Sequence, residues 1–78
     1  MVLSKKTRLS KLARLAELEG CDVDALLAAA TLDSVSPAIC VNEGCEYTTE
    51  MEPDQDRGWC ELCATNTVQS ALILAGLI

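Results

Sequence analysis

Ile39-Cys40-Val41-Asn42-Glu43-Gly44-Cys45 and, with fourteen residues between, Cys60-Glu61-Leu62-Cys63 place four thiols in two closely spaced pairs. Each pair can offer two thiolates from a single turn, and the insert between the pairs is the length of a β-hairpin. This is the spacing of a four-cysteine zinc ribbon, in which two turns meet and four sulfurs surround one ion tetrahedrally. Gly44 lets the wider Cys40-x4-Cys45 turn close. Within the insert, Tyr47 to Met51 is rich in β-formers and Glu52-Pro53-Asp54-Gln55-Asp56 is a turn. Arg57 to Cys60 is then expected to return as the second strand of the hairpin.

Cys40, Cys45, Cys60 and Cys63 are therefore the candidate metal ligands, and zinc is the expected ion. All-thiolate ligation closes the coordination sphere, whereas a catalytic zinc keeps a position for water beside three protein ligands. Four thiolates also leave the centre anionic and a poor Lewis acid, so the zinc is read as structural. Two rival readings stand beside it. One is a pair of disulfides, which the lack of an export signal disfavours. The other is a rubredoxin-like iron centre, whose matched C-x2-C turns are broken here by the C-x4-C. Cys21 is left over, beside Asp22 and Asp24.

N-terminal to the cysteines the periodicity is helical. Leu9, Leu12, Ala13 and Ala16 share a stripe over Ser4 to Glu19, and Leu15 widens it. Ser4 can cap the start, and Gly20 suits the left-handed position after the end. Asp22 opens a second helix as N-cap, with Val23, Leu26, Leu27 and Ala30 on its apolar face. The two helices form a hairpin that resembles a helix-turn-helix in the placing of Ala16, Gly20, Leu26 and Ala29. Thr31 to Ala38 reads as a linker with Ser34, Ser36 and Pro37 as breakers. C-terminal to the cysteines, Thr65-Asn66-Thr67 reads as a capping cluster before a third helix from Val68 to Gly76. That helix would put Val68, Ala71, Leu72, Ala75 and Ile78 on one face, and Ile73, Leu74 and Leu77 on the other. The expected fold is α+β in one compact unit: a helical hairpin and linker over residues 1–38, then the ribbon hairpin and C-terminal helix over residues 39–78.

Composition narrows the function. The chain has 78 residues, no His, no Phe, one Tyr and one Trp. The absence of His excludes His-based catalysis and mixed Cys/His metal sites, and no phosphate-binding glycine loop or nucleophile–base pair is present. An enzyme is not expected. No membrane span or export signal is expected either, which makes the cytoplasm the expected compartment. The net charge is −6, and it is segregated: Lys5, Lys6, Arg8, Lys11 and Arg14 precede every acid, and Arg57 is the sole later base. The second helix would bring Asp22 and Asp24 to a DNA groove, where they repel phosphates and read no base. The ribbon likewise carries Glu43, Glu46, Glu50, Glu52, Asp54, Asp56 and Glu61. Tyr47 and Trp59 are expected in the core or as cross-strand partners. Nucleic acid is thus not the expected ligand, although the basic N-terminal helix keeps a nucleic-acid-binding regulator as the alternative. The expected partner is another protein or a second copy of the chain, met through the C-terminal helix or the acidic hairpin.

The run from Ile39 to Thr49, the run from Glu52 to Cys60, Asn66-Thr67-Val68 and Ser70-Ala71-Leu72 together resemble small zinc-ribbon proteins encoded by phages and prophages. The resemblance covers residues 38–78, and the helical half loosely. It implies the same four ligands, Cys40, Cys45, Cys60 and Cys63, and no assigned activity. A phage setting makes a non-enzymatic adaptor or inhibitor of host machinery, acting in the host cytoplasm, the expected function.

Overall fold

The computed structural model describes residues 4–77, so Ile78 of the expected C-terminal face lies outside the described residues. The chain is α+β. Helices α1 (Lys5–Glu19) and α2 (Val23–Leu32) precede four strands, β1 (Ser36–Cys40), β2 (Thr48–Met51), β3 (Gly58–Cys60) and β4 (Thr65–Ser70), and a short helix α3 (Ala71–Leu74).

The helix ends follow local chemistry. The Ser4 hydroxyl accepts from the Thr7 amide at 3.1 Å, and the Asp22 carboxylate accepts from the Ala25 amide at 2.7 Å. Gly20 sits at φ +77°. Its amide donates to Glu17 O, and the Cys21 amide donates back to Ala16 O, the paired bonds of a Schellman cap. The buried stripe of α1 is Leu12, Leu15 and Ala16, rotated from the expected one: Leu15 is fully buried, while Leu9 is 49 % exposed. With Leu26, Ile39, Val41, Ala71 and Leu74 these residues form the core between helices and sheet.

The strand pairing departs from the expected hairpin. The sheet is antiparallel in the order β2-β1-β4-β3, so the strand at Thr48–Met51 pairs with β1 and the strand at Gly58–Cys60 pairs with β4. Two hairpins result, joined at the centre by β1 and β4 in the register Ala38↔Ser70, Ile39↔Gln69, Cys40↔Val68. Alternation along β1 sends Ile39 to the helices, and Ala38 and Cys40 to a second cluster with Met51, Cys60 and Val68. Met51 of one outer strand reaches Gly58 of the other, where a Cβ would lie 2.7 Å from the Met51 Cε. The sheet therefore curls, and its two outer strands meet through a side chain without being paired.

Two further expectations are corrected. The linker over Thr31–Ala38 is instead the end of α2 and the start of β1. Ser36 is fully buried there and its hydroxyl accepts from the Ala71 amide, and Pro37 lies where β1 is paired on one side only, a position proline tolerates. The third helix does not begin at Val68: residues 65–70 are strand, and the cap is Ser70, whose hydroxyl accepts from the Ile73 amide and donates to the Pro53 carbonyl. Of the second apolar face expected on that helix, Leu74 is buried in the chain's own core, Ile73 is half-buried and Leu77 is exposed. Tyr47 packs against the second cluster, but Trp59 is 53 % exposed.

Candidate metal centre

Each hairpin carries one cysteine pair at its turn. Cys40 ends β1, and its amide donates to Tyr47 O at 2.9 Å, closing the loop. Inside the loop the Cys45 amide donates to Asn42 O at 3.1 Å, and Gly44 takes φ +79°, the left-handed conformation the wider turn requires. Cys60 ends β3, and the Cys63 amide donates to its sulfur at 3.3 Å. The turn closes through the Ala64 amide to Cys60 O at 2.8 Å, with Ala64 itself at φ +55°. A non-glycine residue is disfavoured there by about 1–2 kcal/mol, and it is held because the turn must bring Cys63 back over Cys60.

The central β1–β4 pairing brings the two turns together. All four ligand sulfurs lie within 4.8 Å of one another. The Cys40 and Cys63 sulfurs are 3.9 Å apart, and those of Cys45 and Cys60 are 3.7 Å apart. A regular tetrahedron with Zn–S bonds of about 2.3 Å has edges of about 3.8 Å. The four cysteines can thus hold one metal ion between them. Cys40 and Cys60 are fully buried, and Cys45 and Cys63 are half-buried at the rim. Cys21 is exposed and stands apart from the four.

Burial and the neighbouring sulfurs act on the Cys45 thiol. The Tyr47 amide donates to the Cys45 sulfur and favours its thiolate, yet desolvation and the neighbouring sulfurs of Cys63, Cys40 and Cys60 outweigh it and push the Cys45 pKa up to about 12. The four thiols make up the soft donor set that zinc accepts.

The basic helix docks on the first turn, a contact for which the segregated charges gave no position. Lys11 Nζ donates to the Cys45 carbonyl at 2.6 Å, which places an ammonium beside the first cysteine turn. Arg14 pairs with Glu46 and, at 3.1 Å, with Glu17. The hydrogen bond from Arg14 holds the Glu46 carboxyl below its usual range, and Glu46 in turn raises Arg14. No helix among the described residues is long and apolar enough to cross a membrane. Compared with protein-family models, with curated proteins and with solved structures, the chain matches none.

Proposed function

We propose that the chain is a non-enzymatic module in which Cys40, Cys45, Cys60 and Cys63 hold one structural zinc ion and whose task is to bind another protein. The observation that carries the zinc reading is the closed donor set: four sulfurs at tetrahedral spacing leave no coordination position for water or substrate. Bound there, zinc supplies cross-linking of the two hairpins and no reaction chemistry. The binding reading is supported by Trp59, 53 % exposed on the outer strand β3, and Leu62, 74 % exposed in the turn that follows it, among exposed acids such as Asp56 and Glu61. A partly buried rim around an aromatic anchor is common at protein interfaces. The phage and prophage resemblance extends the proposal to an inhibitor or adaptor acting on host machinery.

The nucleic-acid alternative draws less support, because the basic helix spends Lys11 and Arg14 within the chain. Two measurements separate the readings. Affinity capture from the host should retain a partner on the wild-type chain and lose it on a zinc-loaded Trp59→Ala, Leu62→Ser variant. Titration with duplex DNA and RNA should show binding that disappears near physiological salt. Sub-micromolar, sequence-selective nucleic-acid binding at that salt, abolished by neutralising Lys5, Lys6 and Arg8, would overturn the proposal.

A further inference from the structure

The two cysteine turns are not equivalent in how they satisfy their sulfurs. In the C-x2-C turn, the Cys63 amide donates to the Cys60 sulfur at 3.3 Å, so the turn supplies its own donor. In the C-x4-C turn the corresponding amide, that of Cys45, is spent on the Asn42 carbonyl. The wider loop thereby withholds from the Cys40 sulfur the backbone donor that the narrow turn gives Cys60. Cys40 is fully buried, and a buried thiolate without a donor is costly.

A side chain from the other hairpin stands in this place. Thr67 Oγ1 of β4 lies 3.1 Å from the Cys40 sulfur. The same oxygen lies 2.9 Å from Thr65 Oγ1 and receives the Asn42 amide group at 3.3 Å, and Asn42 Nδ2 also reaches Thr65 Oγ1 at 3.3 Å. A threonine hydroxyl has one proton and two acceptor lone pairs. Asn42 donates to it, and between Thr65 and Thr67 either hydroxyl can donate, so the direction turns on where the Thr67 proton points. A metal-bound thiolate can only accept, so that proton points at Cys40. Resting on the metal reading proposed above, we infer that Thr67 is a positioning residue of the metal centre: its hydroxyl replaces the amide lost to the wide turn, and Asn42 and Thr65 fix its direction. The hydrogen bond draws charge from the Cys40 sulfur and ties the first turn to β4, the strand that leads out of the second.

The test uses the full chain loaded with cobalt(II) and with zinc. Thr67→Val keeps the shape and removes the hydroxyl, and Thr67→Ser keeps the hydroxyl. The wild type should show a tetrahedral tetrathiolate cobalt spectrum. In Thr67→Val the sulfur-to-cobalt charge-transfer band should move to lower energy, because the sulfur is more electron-rich, and zinc affinity in chelator competition should fall about 10- to 100-fold. Thr67→Ser should keep the wild-type band and lie within about threefold of its affinity. If Thr67→Val does not fold, Asn42→Ala carries the test, since it releases the Thr67 proton from its direction and should shift the band the same way by a smaller amount. A wild-type band in both Thr67→Val and Asn42→Ala, or a Thr67→Ser variant that behaves like Thr67→Val, would overturn the role of Thr67 and leave the metal reading intact. A wild-type chain without a tetrathiolate spectrum would overturn both.

Discussion

The contact between Met51 and Gly58 is where the curled sheet can be tested by a single methyl group. A Cβ added at Gly58 would lie 2.7 Å from the Met51 Cε, 3.2 Å from its Sδ and 3.1 Å from the Val68 Cβ. The thioether end can move aside, but the Val68 Cβ is fixed to the central strand, and Met51 is only 9 % exposed. Overpacking of this kind costs about 1–3 kcal/mol. The loss of glycine's freedom in the unfolded chain returns about 0.4–1 kcal/mol. Gly58→Ala should therefore destabilise the protein by about 1–2 kcal/mol, which in a domain of this size lowers the melting temperature by about 4–8 °C for each kcal/mol. Denaturation should be followed at a fixed, buffered zinc concentration, because free metal shifts apparent stability by mass action. Met51→Ala should be destabilising on its own through the cavity it leaves, by about 2–5 kcal/mol. In the double variant the new methyl group occupies part of that cavity, so the two losses should fall short of additive by at least about 0.5 kcal/mol. Additive losses would refute the packing of one outer strand against the other.

Ser70→Ala should cost about 1–2 kcal/mol by the same denaturation assay, because it removes the cap of α3 and leaves the Pro53 carbonyl without its donor; an unchanged midpoint would contradict the late start of that helix. Glu46→Gln should narrow the stability of the chain slightly at neutral pH, and the gap should close in 1 M salt, since the Arg14 pair is exposed and screened. Because Arg14 holds Glu46 below the ordinary value of 4.5, this contribution is complete above that value and is lost as pH falls through the depressed one. A gap that widened with acid or with salt would refute the pairing.

The parts of the molecule that were legible in the sequence are those whose signal is local. Ser4, Gly20 and Asp22 announce helix ends through the backbone groups next to them, and the structure places each in that role. The four cysteines were legible because each pair closes within one turn. The central strands were not. β1 and residues 67–70 of β4 are covered on both faces, so neither shows the alternation of a half-buried strand, and Val68, Ala71 and Leu72 also fit helical spacing. Ser36 and Pro37 look like breakers only until Ser36 is seen to accept the Ala71 amide. Once β1 and β4 were missed, the outer strands could only be paired with each other. The surroundings of the metal centre were hidden for a related reason. Lys11 reaches Cys45 across 34 positions of chain, and Thr67 reaches Cys40 across 27, so no spacing rule connects them. Ala64 alone left a trace that could have been used, since a C-x2-C turn closing directly into a strand calls for a left-handed residue after its second cysteine.

The claim on which the rest depends is that four thiolates close around one zinc ion, and native mass spectrometry of the purified chain tests it most directly. The expected mass is that of the neutral chain plus one zinc, less the two protons that the charge of Zn2+ displaces. Cys40→Ser, Cys45→Ser, Cys60→Ser and Cys63→Ser should each lose the ion and the folded charge-state distribution together, and Cys21→Ser should keep both. A folded chain without metal, lighter by the four hydrogens of two disulfides, would contradict it.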